Sequence, residues 1–138
     1  MNFFDPDREA FNAFKDLPRD EPIEMLNLIK LYDQARYDDG RQASGAEAYQ
    51  QYGKVSAPVF QRVGGSIIWR GQPQNVLIGP GDELWDIAFI ARYPNAGAFF
   101  EMVTDEFYQT KAVPHRRAGV QNSRLIRHAP LAGDDQFG

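Results

Sequence analysis

At 138 residues, with a formal charge of -4 and no cysteine, the chain has room for one ordinary domain and none for disulfide, thiol or cysteine-ligated metal chemistry. Hydrophobic residues make up 43% and charged residues 25%, a globular balance that lets a chain this size bury roughly two thirds of its unfolded surface without a covalent staple. An acidic total gives no warrant for nucleic acid, whose phosphates reward clustered positive charge, and no apolar run reaches membrane-spanning length.

The opening MNFFDPDREAF lacks a basic n-region and an apolar h-region, so no signal peptide is expected and the expected location is cytoplasmic. Asp5-Pro6-Asp7 predicts a short helix with Asp5 as N-cap and Pro6 at its first position. Phe11 and Phe14 then share one side. Pro18 and Pro22 stop the helix, so residues 1–21 read as a helical arm laid on the main domain.

Residues 23–32, IEMLNLIKLY, are apolar at almost every position, as in a strand covered on both faces. Asn27 is the one amide inside that run. Asp39-Gly40 signals a loop. Ser44-Gly-Ala-Glu47 matches a capping box, and Ala48, Tyr52, Val55, Val59 and Val63 follow at helical spacing. Pro58 removes an amide and should bend this helix past Lys54. Gly64-Gly65 ends it.

Residues 66–70 predict a strand, with a turn at Gly71-Gln72-Pro73 and a continuation over 75–78. After Gly79-Pro80-Gly81-Asp82, residues 84–93, LWDIAFIARY, form the strongest central-strand pattern. Pro94-Asn95 opens a helix that buries Phe99, Met102 and Val103. Thr104 or Asp105 is expected to cap one more turn containing Phe107 and Tyr108, with Pro114 at its end. Residues 120–128 predict the last strand, and 130–138 a mobile tail.

An arm followed by β-α-β-β-α-β is the order of the ferredoxin-like motif, an α+β fold with a four-stranded antiparallel sheet and two helices on one face. The domain is expected over 22–129. Two helices cover one side only, yet the first and third strands look apolar on both. A second copy of the sheet would cover the other side, giving a homodimer of the dimeric α/β-barrel kind.

Several segments resemble the DUF1330 family of that group. They are Met25-Leu-Asn-Leu-Ile-Lys30, Ala48-Tyr-Gln-Gln-Tyr-Gly53, Val63-Gly-Gly-Ser66, Trp85-Asp86, Arg92-Tyr-Pro94, Met102-Val-Thr-Asp-Glu-Phe-Tyr108, His115-Arg116 and Asn122-Ser-Arg-Leu-Ile126. They span residues 22–127 and leave both ends outside. The resemblance implies a ferredoxin-like dimer without an attached reaction. Proteins of this shape include cofactor-free monooxygenases, muconolactone-type isomerases and haem-degrading enzymes, so shape does not select an activity.

His115, followed by two arginines that favour its neutral form, is a candidate proton acceptor for a bound acid or phenol. Its structural alternative is a hydrogen bond that fixes a turn. Asp86 is a candidate acid or base, or else the partner of Arg70 or of an arginine in the last strand. Asn27 could orient a carbonyl or enolate, or join Asp86 in a buried network. Tyr52 and Trp85 are candidate pocket walls as well as ordinary core aromatics, and Tyr49 lies beside Tyr52. Arg70 and Arg124 are candidate carboxylate clamps.

His115 and His128 lie too far apart for a metal pair, and no nucleotide-binding glycine motif is present. No metal or cofactor is therefore expected. Charge is uneven: residues 1–24 carry seven acids against three bases, whereas 111–129 carry five bases and no acid. That basic stretch suits a small anionic ligand, a partner's acidic surface or the chain's own N-terminal segment. Two functions follow: a cofactor-independent enzyme, monooxygenase- or isomerase-like, acting on a small anionic or aromatic compound, and a non-catalytic dimeric binding or stress-associated module. Convergence of His115 with Asn27, Asp86 or Arg70 in one apolar cavity would favour the enzyme.

Overall fold

The computed structural model describes residues 2–133 and 135–138; the expectations for the arm and tail also touch Met1 and Asp134, which lie outside the described residues. Four strands, β1 (Ile23–Leu31), β2 (Ser66–Gly71), β3 (Ile87–Tyr93) and β4 (Val120–His128), form one sheet in the order β2-β3-β1-β4. Every neighbouring pair is antiparallel. With α2 (Gly45–Arg62) as the first crossover and α3 (Ala96–Thr104), a π turn (Tyr108–Ala112) and α4 (Val113–Gly119) as the second, this is the ferredoxin-like α+β architecture.

Strand periodicity assigns the two faces. Ile23, Met25 and Ile29 of β1 are almost fully buried, and with Ala91 and Tyr93 they face the helices. Val59 of α2 and Val63 at its C-terminal cap meet them there, together with Phe99 and Met102 of α3. On the reverse face the register aligns Trp69, Ile90, Leu26 and Ile126 in one row across all four strands. Trp69 is 51% and Ile126 46% exposed in the single chain.

Local chemistry sets the element ends. Ser44 Oγ accepts from the Glu47 amide while Glu47 accepts from the Ser44 amide, so the capping box closes; losing such a cap costs about 1 kcal/mol. The helix continues through exposed Pro58 to Arg62. Gly64, at a φ of +87°, turns the chain into β2, a conformation that side chains with a Cβ avoid.

Four expectations are corrected. The cap of α1 (Arg8–Asp16) is Asp7, whose carboxylate accepts from the Ala10 amide; Asp5 instead faces two arginines. Residues 75–78 form no strand. Pro73, Gly79, Pro80 and Gly81 hold 72–86 as a loop, and β3 begins at Ile87 rather than at Leu84. Nor does Pro114 end the second crossover. The Val113 amide bonds back five residues to the Tyr108 carbonyl, widening the helix into a π turn, and Pro114 falls in the first turn of α4, where its missing amide costs little.

The arm lies along the edge formed by β4. The Ser123 hydroxyl donates to the Phe3 carbonyl, Arg116 to the Phe4 carbonyl, and Arg127 to the Phe14 and Pro18 carbonyls. Phe14 packs against Phe99 and Phe100. The basic segment thus meets the chain's own acidic N-terminal segment, and an edge strand is covered. Among the described residues no helix is long and apolar enough to cross a membrane.

Candidate functional site: an aromatic cleft between sheet and helices

The helices do not seal against the whole sheet. A cleft of about 1560 Å³ runs between the helix-facing side of the sheet and α2, α3, the π turn and α4, with the arm at its rim. Its floor includes Met25, Asn27 and Phe89, and its walls Tyr49, Tyr52, Phe99 and Tyr108. That volume exceeds a typical small-molecule pocket.

The tyrosines form a linked group. The hydroxyls of Tyr52 and Tyr108 lie 2.8 Å apart, and the Tyr49 and Tyr52 rings are 5.4 Å apart by centroid. Tyr52 comes from α2 and Tyr108 from the π turn. Asp105 positions the latter by accepting from the Tyr108 amide at 2.9 Å while pairing with Arg62 at 2.7 Å. Those two contacts hold the Asp105 carboxyl below its usual range. The π turn begins at Tyr108, and such turns occur often at functional sites.

Burial raises the Tyr52 phenol well above its ordinary value, reinforced by Tyr108 and Tyr49. It raises Tyr49 as well, against the opposing charges of Arg116 and Arg70. Tyr93 is raised by the same cause. At neutral pH these phenols are uncharged hydrogen-bond donors beside an apolar floor, with guanidinium groups at the rim.

Of the residues singled out from sequence, Asn27, Arg70, Tyr52 and Arg124 line this cleft; His115, Asp86 and Trp85 do not. His115 sits on α4, where its Nδ1 lies 2.6 Å from the Tyr37 hydroxyl. Burial, then the charge of Arg41, lowers its pKa, and the hydrogen bond between the two side chains ties the 32–44 loop to α4. Asp86 pairs with neither Arg70 nor an arginine of β4. Its carboxylate accepts from the Leu31 amide at 2.7 Å and lies 3.6 Å from Lys30 Nζ, securing the end of β1. Convergence of His115 with Asn27, Asp86 or Arg70 in one cavity therefore does not occur.

Asn27 lines the cleft and donates to the Met25 carbonyl at 3.0 Å rather than joining Asp86. Arg124 stacks between Phe3 and Trp85, at 4.9 and 5.0 Å from the two rings, and lies 3.5 Å from Glu83. Tyr108 and Arg116 are the wall residues that sequence reasoning missed as site members. Tyr108 read as an ordinary turn aromatic because the π turn has no sequence signature; Arg116 was legible only as part of a basic segment.

No curated protein matches. The crystal structure of methylated RPA0582 protein is 51% identical, covering 94% of this chain and 96% of that one, at a TM-score of 0.90. RPA0582 from Rhodopseudomonas palustris, described as a protein of unknown function, is 49% identical over 96% of this chain and 100% of that one, also at 0.90. SnoaB, a cofactor-independent oxygenase from Streptomyces nogalater, is 14% identical over 84% of this chain and 99% of that one, at 0.52, a likeness of fold alone. The family model of DUF1330, a domain of unknown function, matches residues 41–128, and the chain belongs to that family.

Proposed function

We propose that this chain is a homodimeric binding protein for a small aromatic anion, which it holds in the cleft between sheet and helices. The observation that carries the reading is the cluster of uncharged phenols, Tyr49, Tyr52 and Tyr108, over an apolar floor with arginines at the rim. Ring surfaces favour an aromatic body, neutral hydroxyls donate to its oxygens, and guanidinium groups meet a negative charge. Asn27 and Arg70 serve as polar contacts, and Arg124 as part of the rim.

Dimerisation rests on the reverse face. The row Trp69, Ile90, Leu26 and Ile126 is an apolar stripe that the chain's own helices leave uncovered. Self-complementary pairing about a two-fold axis is the simplest cover for such a stripe.

The cleft's carboxylates favour binding over proton transfer. Asp7 caps α1, Glu47 closes the capping box of α2, and Asp5 faces Arg116 and Arg117. A second reading, cofactor-independent turnover, is favoured by the Tyr52–Tyr108 pair, since two neutral donors could stabilise developing negative charge on an enolate.

A thermal-shift screen of small aromatic acids and quinol-like compounds tests the binding reading. Stabilisation that weakens in Tyr52→Phe supports it. No stabilisation by any aromatic acid contradicts it. Product formation or oxygen uptake with a binding compound, lost in Tyr52→Phe while binding persists, would favour the second reading.

A further inference from the structure

We propose that Arg116 is the carboxylate anchor of the cleft, with Asp5 as the internal group that the ligand's carboxylate displaces. The inference rests on the binding reading and names the ligand's charged group as a carboxylate.

The rim holds several guanidinium groups, and their surroundings differ. Arg117 is 67% exposed, Arg124 is sandwiched between two rings and faces Glu83, and Arg127 donates to arm carbonyls. Arg116 is only 18% exposed and lines the cleft. One of its nitrogens donates to the Phe4 carbonyl at 2.7 Å, and another reaches the Ser123 hydroxyl at 3.4 Å. Asp5 approaches it at 3.7 Å, beyond hydrogen-bond distance, and reaches Arg117 only at 4.0 Å.

A mostly buried guanidinium has five donors and is stabilised best by a carboxylate meeting two of them at once. Asp5 does not do this. Its side chain is 55% exposed and hangs from a strap held by neighbouring backbone contacts at Phe3 and Phe4. The carboxylate can therefore swing outward without unseating the arm. Arg116 lines the same cleft as Tyr49 and Tyr52, and its charge opposes the rise that burial gives both phenols. A carboxylate at Arg116 would set its attached ring against those phenols.

The test measures the affinity of 2-naphthoate and its neutral counterpart 2-naphthamide by isothermal titration calorimetry. Asp5→Asn removes the competing charge at an exposed position, so the fold is retained. Naphthoate should then bind about two- to fivefold more tightly, the range expected for release of an exposed ion pair, and naphthamide should be unchanged. Arg116→Lys keeps the charge but loses the planar fork and should weaken naphthoate by about tenfold.

Unchanged naphthoate affinity in Asp5→Asn overturns the proposal and leaves Asp5 as a fastening of the arm, with the binding reading intact. Naphthamide binding as tightly as naphthoate to the unsubstituted protein overturns it in the same way. Failure of both compounds to bind the unsubstituted protein removes the binding reading and this inference together.

Discussion

Tyr52 and Tyr108 join the two crossovers through one hydroxyl–hydroxyl contact at 2.8 Å, and a double-mutant cycle measures what that contact contributes. Each phenol replaced by phenylalanine keeps its ring and loses only the oxygen. The net worth of such a bond is about 0.5–1.5 kcal/mol. The upper half of that range is expected here, because burial keeps Tyr52 protonated and leaves the surviving oxygen facing ring surfaces. For a chain of 138 residues, each kcal/mol moves Tm by about 3–4 °C. Tyr52→Phe and Tyr108→Phe should each lower Tm by about 3–5 °C, and the double variant by about the same amount as either alone. Urea unfolding of the four proteins gives the coupling energy, expected at about 1 kcal/mol. Strictly additive effects would refute the shared bond and with it the linkage of α2 to the π turn.

Three further outcomes follow from the geometry. Ile126→Glu places a charge on an apolar row at a position already 46% exposed in the single chain, so the fold should survive while light scattering reports a monomer; a persistent dimer would exclude this face as the interface. Gly45→Ala sets a Cβ against the Tyr32 carbonyl oxygen, far inside van der Waals contact. Backbone must move to admit it, at a cost of about 1–3 kcal/mol or more, and an unchanged urea midpoint would show that the α2 start is not packed as described. His115 has a folded pKa below its unfolded value, so its contribution to stability is complete above about pH 6.5 and is lost as pH falls through the lower folded value. A His115→Asn variant should show a flatter Tm-against-pH curve between about pH 7 and 5 than the unsubstituted protein; parallel curves would mean that burial and the charge of Arg41 do not bias this titration.

The order of strands and helices was legible because each element carries its own signal. The capping box at Ser44 and Glu47, the glycine pair at Gly64 and Gly65, and the apolar runs of β1 and β3 each fix local structure before any packing. What sequence could not give was the partner of each polar group. Asp86 sits among apolar residues in the sequence, yet in space it meets the Leu31 amide and Lys30 at the end of a strand. His115 follows a proline and precedes arginines, but its partner, Tyr37, lies 78 residues away. Tyr108 meets Tyr52 from a π turn, in which the Val113 amide reaches back five residues, a geometry with no sequence signature. Uneven charge at the two ends did foreshadow a real contact, Asp5 with Arg116 and Arg117, although several occupants would have suited the basic segment equally well.

The proposed aromatic anion would sit between the sheet and its helices. Titration of the isotopically labelled protein with 2-naphthoate, followed by backbone amide shifts, tests it most directly. The account predicts saturable changes at Asn27, Tyr49, Tyr52, Tyr108 and Arg116. Changes confined to Leu26, Trp69, Ile90 and Ile126 on the opposite face of the sheet, or no changes at all, would contradict it.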